Sequence, residues 1–127
     1  MEQFVGDTTD LSKPLYRSLY RLNYRSEGAM RYALVRTKNT PGEGSVAALW
    51  EYGVGVIAWG IVAWDEDIEG YEVNIYVRKS HRRQGYGTKI YNLLAQFDKR
   101  EFKASPWDNG STKFYEKNGA VHSGWDA

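Results

Sequence analysis

Cysteine is absent from the 127 residues, which excludes disulfides, thiolate metal sites and a cysteine nucleophile. Histidine is nearly absent too. His81 and His122 are too few to hold zinc without thiolates, so no metal is expected. No apolar run approaches the ~20 residues that a membrane-spanning helix needs. The opening stretch, "MEQFVGDTTD", is acidic and contains no apolar core, so no secretory signal is expected and a cytoplasmic protein is the natural reading. Charge of one sign is not in excess either. Seventeen Lys and Arg against 16 Asp and Glu leave a net charge of +1, which lacks the global basicity of a nucleic-acid binder. No internal repeat or linker interrupts the chain, and its length suits one core. Residues 1–127 are therefore expected to form a single compact domain.

What is present is an ordinary globular composition, 42% hydrophobic and 26% charged, enriched in aromatics by five Trp and ten Tyr. The balanced charge is sorted locally. Residues 11–38 hold seven Lys or Arg and one acid, Glu27, whereas "DEDIEGYE" (65–72) holds five acids. Residues 78–89 return to five bases plus His81.

Leu15, Leu19 and Leu22 recur at helical spacing within residues 11–25, with Ser12 placed to cap the start and Pro14 in the first turn. Tyr16, Tyr20 and Tyr24 form a second stripe on this helix, and Arg17, Arg21 and Arg25 a third. These stripes read most simply as an exposed face, with contact to RNA or an acidic protein as the functional alternative. "RYALVRTK" (31–38) is predicted as a strand, and "NTPGEG" as a loop. "SVAALWEYG" and "VGVIAWGIVAWD" are the next strands, parted by a turn at Tyr52–Gly53; the second is apolar on both faces, as an inner strand is. Asp65, Glu66, Asp67 and Glu69 then read as a solvated hairpin turn, with steering of a cationic amine as the alternative. "YEVNIYVR" alternates, Tyr71, Val73, Ile75 and Val77 against Glu72, Asn74 and Tyr76. Tyr86, Ile90, Leu93, Leu94 and Phe97 mark a long amphipathic helix. A short strand around "REFKAS", a helix over "STKFYEKN" closed by Gly119, and a last strand around "AVHSGW" complete the pattern.

Between the alternating strand and the long helix lies "RKSHRRQGYG" (78–87). The first N–H groups of a helix lack internal partners and carry the positive end of its dipole. Such a helix start suits an anion where the loop lets the backbone approach closely. Gly85 and Gly87 permit that approach, and Arg82, Arg83 and Lys89 add charge complementary to a pyrophosphate or ribose phosphate. Two phosphate motifs do not fit. The Walker pattern needs four residues between its glycines and Lys before Ser/Thr, but here Thr88 precedes Lys89. The dinucleotide fingerprint needs a third glycine where Ile90 stands.

Arg82-Arg83-Gln84-Gly85-Tyr86-Gly87 does match R-x-x-G-x-G, after a strand and opening a helix. Downstream, "STKFYEKNGA" (111–120) matches an F-Y-x-x-x-G-[FA] segment. Together they resemble the GCN5-related N-acetyltransferase (GNAT) superfamily, over roughly residues 45–122. The resemblance implies an α/β fold: a mixed, mostly antiparallel twisted sheet with flanking helices. It implies acetyl-CoA as co-substrate, with N–H groups from Arg83 to Thr88, including Gln84 and Tyr86, cradling the pyrophosphate. The strand ending at Val77 would splay from its neighbour, freeing backbone groups near Ile75 and Val77 for the pantetheine amides. Tyr115 occupies the position of the general acid that protonates the CoA thiolate. Glu72 is the candidate base, acting directly or through water; alternation puts it opposite Tyr71, Val73 and Ile75, and a bulge common on this strand would change its face.

Two departures accompany the resemblance. The Asn often found seven residues before the tyrosine is Asp108 here, with Asn109 one later, and either suits a helix cap. Few residues follow the last helix, so the sheet is expected to end at an incompletely covered strand, which invites a homodimer. The reading that follows is an N-acetyltransferase with an unidentified amine acceptor. The competing class is a non-catalytic protein of this fold that acts through contacts with a protein or nucleic-acid partner.

Overall fold

The computed structural model describes residues 1–22, 28–105 and 109–122. In chain order these form β1 (Glu2–Asp7), α1 (Lys13–Arg21), α2 (Gly28–Thr37), β2 (Gly44–Glu51), β3 (Gly55–Asp65), β4 (Gly70–Val77), α3 (Tyr86–Phe97), β5 (Phe102–Ala104), α4 (Asn109–Lys117) and β6 (Val121–His122). The six strands make one sheet in sequential order. β1 to β4 pair antiparallel, whereas β5 joins β4, and β6 joins β5, in parallel. The change of direction follows the connections: short turns join β2 to β3 and β3 to β4, α1 and α2 lie between β1 and β2, and α3 and α4 carry the chain back for the parallel pairs. This is the expected mixed α/β sheet.

β3 lies inside the sheet and is apolar on both faces because both are covered. Trp59 and Ile61 face a core shared with Leu19, Leu34 and Tyr76; Ala58 and Val62 face the other, with Ile90 and Leu94. α1 and α2 thus cover one face, and α3 the other. A Cβ on Gly60 would stand 2.8 Å from Ile90 and 3.1 Å from Leu94, so the missing side chain lets α3 settle against the sheet. Asp98, just beyond α3, is tied to Ser45 at the start of β2 and to Arg100. Arg100 in turn donates to the Gly42 carbonyl at 2.9 Å and lies 4.0 Å over the Tyr71 ring. That cluster anchors the end of α3.

Three expectations are corrected, and one strand, β1, was not anticipated. Residues 31–38 are not a strand: α2 runs through Thr37. Its buried residues, Met30, Ala33, Leu34 and Thr37, fall at helical spacing, and Val35 is left exposed, so helical periodicity prevails over the β-branched composition. β1 went unpredicted because its apolar content is Phe4 and Val5 alone; pairing with β2 supplies what the pattern lacks. α1 ends at Arg21, with the amide of Leu22 bonded back to Leu19; Tyr24 and Arg25 lie outside the described residues. Its start is as expected, the Ser12 hydroxyl accepting from the Leu15 amide at 3.4 Å. The tyrosine stripe is not simply solvated. Tyr16 stacks on Tyr20, and Arg31 of α2 sits 4.8 Å over the Tyr20 ring, so part of that stripe is a seam between α1 and α2. At the far edge Val121 and His122, both exposed, form the outermost strand among the described residues.

Candidate active site

β4 and β5 pair only at Tyr71–Phe102 and Glu72–Lys103. Beyond Glu72 the two strands part, and the β5 side of residues 73–77 opens into a gap. α4 reaches into it. The Tyr115 hydroxyl accepts a hydrogen bond from the Ile75 amide at 3.1 Å. At the outer end, Arg82 Nε donates to the Val77 carbonyl at 3.0 Å. The two backbone positions expected to be freed by splaying are therefore turned away from β3 and engaged by side chains. Burial is the main reason the Tyr115 phenol is pushed up to about 12; the charge of Glu72 adds to it, and the Ile75 bond opposes it.

The basic loop closes the same end of the gap. Gly85 is the N-cap of α3, with φ 83° and ψ 5°, and no side chain caps this helix start. In that left-handed conformation glycine is favoured over any residue bearing a Cβ. Arg83 also has positive φ, 63°. Arg82, Arg83, Gln84 and Gly85 are exposed, while Tyr86, Gly87 and Thr88 are half-buried. A Cβ on Gly85 would meet nothing within 4 Å, whereas one on Gly87 would stand 3.1 Å from the Phe114 ring. The two glycines therefore do different things. Gly85 supplies a backbone turn beside open space; Gly87 makes room for α4. Phe114 and Tyr115, rings edge to face at 5.1 Å, touch the loop and β4 respectively. The two sequence motifs meet in space through this pair. His81 is half-covered, its ring tilted against Tyr86 at 6.1 Å.

Glu72 is on the opposite face from Tyr71, Val73 and Ile75. β4 pairs with β3 without interruption from Gly70 to Val77, and the register shift of the sheet lies instead at Leu49–Trp50 of β2. No bulge of β4 against β3 turns Glu72 over. Its side chain instead lines a pocket open to solvent, with Asn74, Asp65, Ala63 and the α2 residues Ala29, Tyr32, Ala33 and Arg36. Asn74 Nδ2 donates to Glu72 Oε1 at 2.8 Å. Burial raises the Glu72 carboxyl above its ordinary value, and the negative charge of Asp65 adds to this; hydrogen bonds from Asn74 and Ser105 and the charge of Arg36 pull the other way. Asn74 and Arg36 were missed in the sequence, and Asp65 was read as part of a solvated turn, with amine steering as the alternative. Alternation alone places Asn74 beside Glu72, but nothing in the sequence brings α2 over them. Asp108 and the side chain of Asn109 lie outside the described residues.

The open β4–β5 edge, the uncapped basic helix start and the Phe114–Tyr115 pair bring the comparison with known proteins to one answer. The sequence matches the Acetyltransferase (GNAT) family over residues 11–120. The chain belongs to the GNAT family. Solved structures share the fold. The aminoglycoside antibiotic 6'-N-acetyltransferase AAC(6')-Ih from Acinetobacter baumannii superposes with a TM-score of 0.55 at 16% identity, over 99% of this chain and 95% of that one. The spermidine/spermine N-acetyltransferase SpeG from Vibrio cholerae gives 0.57 at 12% identity, over 93% and 77%. An aminoglycoside 6'-N-acetyltransferase complexed with coenzyme A gives 0.51 at 18%, over 73% and 53%. No curated protein matches the sequence. Among the described residues of this GNAT protein, no helix is long and apolar enough to cross a membrane, and no group of His, Asp and Glu is arranged to hold a metal.

Proposed function

We propose that this GNAT protein transfers an acetyl group from acetyl-CoA directly to an amine, with Tyr115 and Glu72 as its catalytic residues. One observation carries the reading. The Tyr115 hydroxyl stands in the β4–β5 gap, bonded to Ile75, between a basic helix start on one side and the Glu72 pocket on the other. The open space beside the Gly85 Cα fits an approaching phosphate. Acetyl-CoA supplies the activated thioester carbonyl. The free N–H groups at the start of α3, from Gly85 to Thr88, bind the pyrophosphate, with Arg82, Arg83 and Lys89 as counter-charges and Gln84 and Tyr86 flanking them. The Ile75 amide and the Val77 carbonyl receive the pantetheine amides, exchanging the bonds they now make to Tyr115 and Arg82.

An ammonium with pKa near ~10.4 has no lone pair to attack with. Glu72 takes the amine proton, directly or through water, and its raised pKa brings it nearer neutrality, where a general base is most effective. The C–N bond forms, the C–S bond breaks, Tyr115 gives its hydroxyl hydrogen to the departing sulfur, and the second proton lost from the amine nitrogen restores the tyrosine. The lack of cysteine agrees with direct transfer, which needs no acyl-enzyme. A thermal melt with acetyl-CoA tests the first half: ligand at about 100 times its Kd adds roughly 2.7 kcal/mol to stability. A screen of amines for release of CoA thiol tests the second. No melting shift and no thiol release would sink the reading.

A further inference from the structure

The pocket at Glu72 is lined by opposite charges from opposite elements. Asp65 and Glu72 come from β3 and β4, Arg36 from α2, and the charge of Arg36 reaches Glu72. Arg36 is held in place, since one of its nitrogens donates to the Trp64 carbonyl and its guanidinium lies 5.4 Å over the Tyr32 ring. A guanidinium has five donors, and among the described residues no carboxylate lies within ion-pair distance of this one. Its remaining donors are therefore available at the mouth of the pocket, in a fork geometry suited to a carboxylate. Asp65 begins the turn that continues through Glu66, Asp67 and Glu69, so the field across the pocket runs from a basic helix to an acidic hairpin. A dipolar molecule is oriented by such a field, whereas a polycation attracted to one wall is repelled by the other.

We propose that the acceptor is a small amine carrying its own carboxylate, an amino-acid-like molecule, with its amine at Glu72 and its carboxylate on Arg36. This rests on the acetyl-transfer reading above and makes Arg36 a specificity-determining residue.

The test compares an α-amino acid, its amide, its decarboxylated amine and spermidine as acceptors, read by thiol release from acetyl-CoA. In the wild type the free acid is expected to exceed the amide and the amine by about tenfold in kcat/KM, a typical effect of one charge-assisted contact. Arg36→Gln should bring that ratio close to one, chiefly through KM for the acid, and Arg36→Glu should turn the preference towards spermidine. Arg36→Lys keeps the charge, and should retain part of the preference while losing the fork. Spermidine or the amide turned over as well as the acid by the wild type, or an acid preference that survives Arg36→Gln, overturns this inference and leaves acetyl transfer standing. Failure of the wild type to bind acetyl-CoA overturns both.

Discussion

The Tyr115 hydroxyl and the Ile75 amide are 3.1 Å apart across the gap where β4 and β5 separate, with the hydroxyl accepting. Since the oxygen accepts there, its own hydrogen is left for another partner. Burial holds the phenol near 12, so it stays protonated at any physiological pH. A thiol near ~8.5 is the stronger acid by several units, and complete proton transfer from such a phenol to a thiolate runs uphill by roughly 5 kcal/mol. Tyr115 is therefore suited to stabilise charge as it develops on sulfur, as a hydrogen-bond donor that gives up its proton late.

This makes Tyr115→Phe informative in two ways. The ring packing against Phe114 survives, but the Ile75 amide loses its acceptor, so stability should fall by about 1 kcal/mol. Turnover should fall by about 10²–10³-fold, as when a preorganised donor is removed from a developing anion. Calorimetric melting reads the first effect and single-turnover thiol release the second. A small stability loss with an unchanged rate makes the tyrosine structural and moves the acid elsewhere.

Glu72 sets function against stability. Its carboxyl is raised above the ordinary 4.5, with burial as the largest cause. In the unfolded chain it ionises earlier, so between the two pKa values the folded state binds more protons than the unfolded state. Stability is therefore fully present below about 4.5 and falls as pH rises through the folded pKa. Glu72→Gln keeps the shape and a hydrogen-bond acceptor for Asn74 without the half-buried charge. The variant should melt higher than wild type at pH 7 and lose much of the pH dependence just above 4.5. Its acetylation rate should drop by about 10²–10⁴-fold, the range for a general base. A variant that melts lower at pH 7 would mean the carboxylate is well solvated, contrary to its burial.

Much of this site was legible in the sequence because its parts are local. A loop-to-helix junction needs only residues 78–90 to declare itself, and the alternation of 71–77 fixes which side chains share a face. The strand expected at 31–38 shows the limit. "RYALVRTK" contains Val and Thr, yet its burial follows Met30, Ala33, Leu34 and Thr37, a spacing that extends upstream of the segment read as a strand. With α2 misread, the wall that faces Glu72 went unseen, and so did Arg36 and Tyr32. Likewise nothing local tells that Gly87 accommodates Phe114, 27 positions later, because that contact exists only once α4 has docked.

Those two glycines give the last prediction. Gly85 sits at φ 83° with open space where a Cβ would point, and Gly87 has the Phe114 ring at 3.1 Å and the Val77 side chain at 3.6 Å. Gly85→Ala introduces left-handed strain of about 1–2 kcal/mol and puts a methyl where the pyrophosphate would approach. Its main effect should be on acetyl-CoA: an affinity at least tenfold weaker by calorimetry, with the rate at saturation little altered. Gly87→Ala pushes on Phe114 instead, and Phe114 shares a helix turn with Tyr115, whose hydroxyl must keep its place within reach of the departing sulfur. A displacement of about 1 Å at a reacting group can lower a rate by ~10²-fold. Gly87→Ala should therefore reduce turnover at saturating acetyl-CoA and lower the melting temperature. Gly87→Ala combined with Phe114→Leu, which relieves the contact, should regain part of both. If Gly85→Ala binds acetyl-CoA as tightly as wild type, the pyrophosphate does not lie against this loop. If the two alanine variants behave alike, the separation of roles drawn from the Phe114 contact is wrong.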